Sequence, residues 1–452
     1  MKKEKLFTRN FIFLILGQIN SLFANTILRF VLSMYILELT GSASIFAGLL
    51  AVSMIPTILL SPFGGILADR ANRRNIMVGL DFLSCITAFV TVLLINESNA
   101  VVMAGCVLTV LSILGAFESP TVQAVVPQMQ EGDNIIRANA AVNQVAALAG
   151  LIAPFLGSAL YTIFGLRPVL AVSVGFFFLT AVLEVFIRLP YHREETNQKW
   201  TAVIKEDFQV SIRFITKDKP EILRMLLAVS VVGFFIMGTI NVGLPYIVRT
   251  VLGLGAEHVG IAESVCGAMA ILGSIIVGVG VKHMKAAQMY KYLFAVGAFM
   301  IPMGLAFLAD NVRLIYLIVL ASVAGVQILV SIFSIYSLSL IQQQTPNELL
   351  GKVMAYIATI TLCAQPLGQM MYGILFDAFS SNIIWIMVGS AACIMLISLM
   401  ARNAFLYYGY NDRRRVIVRM SSKDRRVEAW KHRQSGKGKD NGEHYNFSGS
   451  ST

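Results

Sequence analysis

The chain is short of charge. Only 13% of its 452 residues are Asp, Glu, Lys or Arg, and 56% are hydrophobic, whereas a soluble protein carries about 25% charged residues. A surface so poor in charge faces lipid rather than water. Cysteine is sparse too. The five residues, Cys85, Cys106, Cys266, Cys363 and Cys393, all lie in apolar runs, without a CxxC pair or a metal-ligand spacing, and read as small packing residues. The five histidines fall in or beside polar connections, so no histidine-based metal or nucleophile site is expected within the membrane. There is no GxxxxGK[ST] phosphate loop, which excludes ATP as the direct energy source. An intramembrane enzyme would need a nucleophile or metal constellation, and none is visible.

Apolar runs long enough to cross a bilayer, about 20 residues each, are abundant. They fall near 11–39, 43–67, 75–96, 100–119, 137–163, 168–188, 222–248, 257–281, 288–308, 313–338, 349–377 and 382–402. The first, behind Lys2, Lys3 and Lys5, is too long for a signal-peptide core and is read as a retained helix. The expected architecture is therefore all-α, with twelve membrane-spanning helices. Four of the 36 Lys and Arg stand apart: Arg29 lies inside the first span, and Arg167, Arg249 and Arg313 lie in connections opposite the termini. All the others lie on the side of the termini. The positive-inside rule then predicts cytoplasmic termini in a cell membrane.

The expected organisation is a six-helix half over 1–188, a linker over 189–221, a second six-helix half over 222–402 and a basic tail over 403–452. In the linker, Trp200, Ile204, Phe208 and Ile212 recur every four residues, which fits an amphipathic helix on the inner membrane face or on the helix ends. The tail is basic and then rich in Gly and Ser, and is expected to be largely disordered and drawn to anionic lipid, with no nucleic-acid partner. The halves echo each other: Gly65 matches Gly278, 213 positions on, and Pro154 matches Pro366, 212 positions on. Duplicated halves are one known transporter architecture.

The short connection "GGILADRANRRN" concentrates Asp69, Arg70, Arg73 and Arg74 between two apolar runs. Together with Gly65 it resembles the loop motif between spans two and three of the major facilitator superfamily, with Asn72 where that family usually has Gly. Asn tolerates left-handed backbone angles, so the turn is expected to survive. "LELTGSASIFAG", "FESPTVQAVVPQ" and "IRANAAVNQ" are similar to the bacterial branch that holds macrolide efflux proteins and the enterobactin exporter. The resemblance implies a latch. Asp69 would face the start of span eleven, where "TPNE" offers Thr345 as N-cap, Pro346 and Glu348, and Arg70, Arg73 or Arg74 would pair with Asp81 or Glu118. A loop that merely signals topology is the competing reading; it accounts for the arginines alone.

Gln18, Ser21, Asn25, Arg29 and Ser33 share one face of span one. A stripe ending in Arg needs a partner or a water-filled cavity. Glu263 in span eight is expected at similar depth, as a partner of Arg29 or as a separate proton site. Asn241, Gln327 and Gln365 are further candidates for substrate contact. In span five, Gly150, Pro154 and Gly157 share a close-approach face. "GLIAPFLGS" resembles the antiporter motif of exporters, with Ala153 and Ser158 at usual Gly positions. Span four lacks the Arg of many drug–proton antiporters, and Arg29 is the candidate substitute. The expected function is secondary transport by alternating access: proton-coupled efflux of a small amphipathic compound by a monomer, with no metal and no cofactor beyond the proton gradient. A siderophore exporter or a solute importer of the same superfamily is the alternative, and a channel-like protein the different-class one.

Overall fold

A computed structural model describes residues 6–131, 133–189, 220–280, 284–345, 347–402 and 405. It places twelve long helices in chain order: α1 (Arg9–Thr40), α2 (Ala43–Arg70), α3 (Arg73–Leu94), α4 (Ala100–Met129), α5 (Asp133–Phe164), α6 (Leu166–Val185), α7 (from Pro220–Gly238), α8 (Ala256–Gly280), α9 (Met289–Leu305), α10 (Val312–Gln344), α11 (Asn347–Ala378) and α12 (Ile383–Arg402). No strand occurs among the described residues. Eleven of the helices are long and apolar enough to span a bilayer by themselves, and α11 is the twelfth. The linker helix and the basic tail lie outside the described residues.

Local chemistry sets the turns. Thr8 caps α1 by accepting from the Phe11 amide, and α1 ends on Gly41 at φ 61°, a left-handed position suited to glycine. Ser42 at once caps α2 by accepting from the Ile45 amide. Gly165 and Gly253 also have positive φ, at the α5–α6 and α7–α8 turns. All three turns lie at the end of the bundle away from the chain termini, here called the far end; the end holding α1's start and α12's finish is the near end.

Helix α7 does not stay α-helical. It continues through π segments at Thr239–Gly243 and Ile247–Val251. Gly238 and Gly243 are pressed there against Tyr372, Gly368 and Phe376 of α11, and π segments are rare and frequently found at functional sites. Large apolar side chains such as Leu59, Leu93, Ile163, Val279, Leu367 and Trp385 are exposed, which is the surface a membrane protein presents to lipid.

α1–α6 form one bundle and α7–α12 a second. They meet along two antiparallel seams, α2 on α11 and α5 on α8. At the far end the two bundles are joined by polar contacts of Asp377 with the start of α2, of Thr162 with Glu257 and of Arg249 with Glu38.

Candidate functional site

The polar stripe of α1 turns inward. Ser21, 1% exposed, shares its hydroxyl between Asp81 Oδ1 (2.8 Å) on α3 and Glu118 Oε1 (3.2 Å) on α4. Glu184 of α6, 0% exposed, stands against both carboxylates. Its carboxyl group lies within hydrogen-bond reach of Asp81. Gln18 is buried beside them, with its side chain within hydrogen-bond reach of Glu118. Three carboxylates and one hydroxyl thus share an interior site in the near-end half of the first bundle.

Two turns further along α1, Arg29 donates through Nε to Asn25 Oδ1 (2.5 Å) and through Nη2 to Ser112 Oγ on α4 (3.0 Å). The expected partnership of Arg29 with Glu263 is not formed. Arg29 is held by neutral oxygens of its own bundle, and Glu263, half-buried on α8, has no hydrogen bond or ion pair among the described residues.

In the second bundle, α7, α10 and α11 line a cavity of about 420 Å³ in the near-end half, with Val229, Leu338, Ile341 and Ile357 beside Ser334, Thr361 and Gln365. The Thr361 hydroxyl is unpartnered. Gln327 is half-buried higher on α10, outside this lining. Asn241 lies within the first π segment, and its amide approaches only the Met237 sulfur at 4.0 Å.

The connection between α2 and α3 differs from expectation in three respects. Asn72 is not left-handed: at φ −67° and ψ 107° it is extended and caps α3 through its side chain, a role for which Asn is well suited. Asp81 and Glu118 do not pair with Arg73 or Arg74. Arg73 instead donates to the carbonyls of Ala68 (2.7 Å) and Ala124 (2.8 Å), and Arg74 to that of Val185, so both guanidiniums tie helix ends. Gly64, rather than Gly65, is the close-approach glycine. A Cβ on Gly64 would collide with the Ala116 carbonyl of α4, whereas one on Gly65 would meet nothing within 4 Å. The side chains of Asp69, Arg70 and Glu348 lie outside the described ones. The Thr345 hydroxyl donates back to the Ile341 carbonyl (2.8 Å) at the end of α10, and Pro346, just before α11, lies outside the described residues.

Helix α5 does pack closely, but the small residues that permit it belong to α8. A Cβ on Gly260 would collide with Ser158 and stand 2.8 Å from the Pro154 carbonyl, and one on Gly267 would stand 3.0 Å from Leu151 Cα. Gly150 has open space beside it, and Gly157 makes ordinary contact with Phe30 and Ile27.

Between the bundles, Asp377 in the last turn of α11 accepts from the Ala43 amide (2.8 Å), the Ser44 amide (2.9 Å) and the Ser42 hydroxyl (2.7 Å). Arg249 pairs with Glu38 at 2.7 Å, Tyr161 donates to Glu38 at 2.8 Å, and Thr162 donates to Glu257 at 3.2 Å. A cavity of about 460 Å³ opens beside this second group.

Sequence reasoning passed over Glu184, Asp377, Glu38, Arg249 and Glu257 as site residues. Two signals were present. Glu184 interrupts the apolar run "FFFLTAVLEVFI", and an ionisable group inside a span is expected to have a function or a partner. Asp377 stands at the C-terminal end of a helix, where its charge opposes the dipole of that helix.

The profile of the Major Facilitator Superfamily matches residues 14–369. The chain is 23% identical over 384 residues to Macrolide efflux protein A of Streptococcus pyogenes, covering 84% of this chain and 93% of that one. It is 24% identical over 385 residues to an uncharacterised transporter of the same type from Bacillus subtilis, covering 82% and 86%. Its fold superposes on a bacterial homologue of the iron transporter ferroportin in an inward-facing state (TM-score 0.70, 14% identity, 87% of this chain and 98% of that one). It also superposes on a POT peptide transporter in complex with sulfate (TM-score 0.70, 13% identity, 89% and 95%). With twelve helices in two bundles of six and a family match over most of its length, the chain belongs to the Major Facilitator Superfamily of membrane transporters.

Proposed function

We propose that the protein is a secondary active transporter that exports a small amphipathic compound of the macrolide type in exchange for protons. The observation that carries this reading is the similarity to Macrolide efflux protein A along 93% of that protein's length. The cavity of α7, α10 and α11 suits such a cargo. Its volume falls within the range of ligand pockets, and its lining is apolar with a few polar groups. Groups able to exchange a proton stand in the cluster of Asp81, Glu118 and Glu184 and at Glu263. Arg29, with Asn25, supplies the polar counterpart on the first bundle. With the termini in the cytoplasm, as the charge asymmetry argues, the joined far end is the outer one and the state is inward-open. In this reading Asp69, at the cytoplasmic end of α2, latches the opposite, outward-open state.

In proteoliposomes, a labelled macrolide should move against its gradient only while protons run the other way. Transport that survives collapse of the proton gradient by an ionophore, with no other ion required, sinks the coupling. Expression that leaves macrolide sensitivity unchanged sinks the substrate class. Reporters after Asn96 or within 309–312 should lie outside the cell, and those at 195 or after 420 inside; the reverse labelling overturns the orientation.

A further inference from the structure

We propose that Asp377 is the latch that holds the far end shut, by serving as the charged cap of a helix in the opposite bundle. The inference rests on the alternating-access reading above. Helices α2 and α11 run antiparallel across the seam, so the start of α2 lies beside the finish of α11. The first turn of α2 contains no acidic residue of its own, and its leading amides present partial positive charge without an acceptor from their own helix. Asp377 supplies both. One carboxylate oxygen accepts from the Ala43 amide; the other accepts from the Ser44 amide and the Ser42 hydroxyl. On its own helix the same carboxylate is misplaced, because the C-terminal end of α11 carries partial negative charge. Separating the bundles at the far end would return Asp377 to that unfavourable field and strip three donors from it. Its stabilisation therefore belongs to the closed far end and to no other arrangement.

The contact is held in register by packing. A Cβ on Gly373, one turn before Asp377, would stand 2.5 Å from Ala47 Cβ and 2.9 Å from the Ala43 carbonyl. The α11 backbone therefore lies directly on the first turns of α2 only because residue 373 is glycine. Ser42 has two roles: its oxygen accepts from the Ile45 amide to cap α2, and its hydroxyl donates to Asp377. The internal repeat did not announce this device. The position matching Asp377 in the first half, 212 residues earlier, is Gly165, and the position matching Asp69 in the second half, 213 residues later, is Lys282. The two carboxylates are instead related by the α2–α11 pair. Each stands at the C-terminal end of its own helix in this antiparallel pair, Asp377 beside the start of α2 and Asp69 at the opposite end of the pair.

Asp377 is exposed to water along one edge, so added salt should screen its charge. That property separates a charge latch from a packing role. The experiment measures the distance between spin labels at Ser98 and Ser381, which are exposed at the far end on opposite bundles, in the full-length protein with its five cysteines replaced. Asp377→Asn keeps the size of the side chain and removes the charge. The expected result is a rise of about fivefold in the ratio of far-end-open to far-end-closed populations. Wild type should shift the same way as salt is raised to about 1 M, where the Debye length is about 3 Å, and Asp377→Asn should respond less than wild type, only the exposed Glu38–Arg249 pair being left to screen. Asp377→Glu should restore part of the closed population. If Asp377→Asn fails to reach the membrane, Ser42→Ala, which removes one of the three donors, decides the matter by a smaller shift in the same direction. Distances and salt response equal to wild type in either variant overturn the latch. A wild type that samples only one distance under every condition, with macrolide and proton gradient included, overturns the alternating-access reading and the latch with it.

Discussion

The two seams that join the bundles are built on opposite principles. The α5–α8 seam is a contact of backbones, with Gly260 seated on Ser158 and the Pro154 carbonyl, and Gly267 on Leu151. One hydroxyl–carboxylate bond, Thr162 to Glu257, lies at its far end. The α2–α11 seam is equally close at Gly373, but it ends in a carboxylate docked on the amides of the partner helix. Packing of backbone on backbone is lost steeply with separation and is indifferent to salt, which suits a pivot. A charge on a helix end can be made at one end of a helix pair and broken at the other, which suits a switch. The difference suggests that the bundles rock on α5–α8 while α2–α11 alternates between its two ends.

The largest effect should come from the pivot. Gly260→Val places a branched side chain where even a Cβ collides with Ser158, and overpacking of this kind costs about 1–3 kcal/mol. The expected outcome is a lower melting temperature of the purified protein and a far end forced open at every salt concentration. Gly373→Val should cost a similar amount, but its opening should deepen with salt as Asp377 is screened. Equal salt responses in the two variants would erase the distinction between the seams. Unchanged melting of Gly260→Val would mean that the α5–α8 contact is not the tight one.

A smaller effect is expected at the side of the far end. Glu38 pairs with Arg249 across the bundles, but its side chain is 48% exposed, and an exposed pair is worth about 0.2–1 kcal/mol. Glu38→Gln keeps an acceptor for the Tyr161 hydroxyl and loses the charge. It should raise the far-end-open population no more than about fivefold, read from the same labels at Ser98 and Ser381. A larger shift would move the main latch from Asp377 to this pair.

The architecture was legible because lipid imposes a coarse rule. Each span must be long and apolar, so its outline survives in hydropathy alone, and the twelve runs read from sequence coincide with the helices to within a few residues, apart from longer ends such as those of α4, α5 and α10. Partners were not legible, because they are set by which helix faces which. The stripe of Gln18, Ser21, Asn25 and Arg29 was readable as an inward face, yet nothing in α1 tells that Ser21 meets Asp81 and Glu118 or that Arg29 meets Ser112 instead of Glu263. Asn72 was read by analogy with the glycine it replaces, and it turned out to cap a helix, a role glycine cannot fill with a side chain. Asp377 was hidden by the repeat, which directs attention to matching positions within the halves while the contact joins unlike helices across them.

The smallest net effect is expected from Asp69→Asn combined with Asp377→Asn. The two positions lie at opposite ends of the α2–α11 pair, about 40 Å apart along a helix that rises 1.5 Å per residue. They share no partner, so their effects should add within about 0.3–0.5 kcal/mol. Asp377→Asn removes a contact made with the far end closed. If Asp69 docks at the start of α11 with the near end closed, Asp69→Asn removes a contact made only in the other state. The two shifts then oppose each other, and the double variant should return close to the wild-type ratio of populations. Its rate of exchange should nevertheless rise. Both end states lose stabilisation, while a transition state in which neither end is docked loses none, so both barriers fall. Faster turnover at an unchanged population ratio is the expected signature, measured by transport of a labelled macrolide beside the distances at the far end. A double variant indistinguishable from Asp377→Asn alone would show that Asp69 holds nothing, and that the basic loop after α2 serves only to set the orientation of the chain in the membrane.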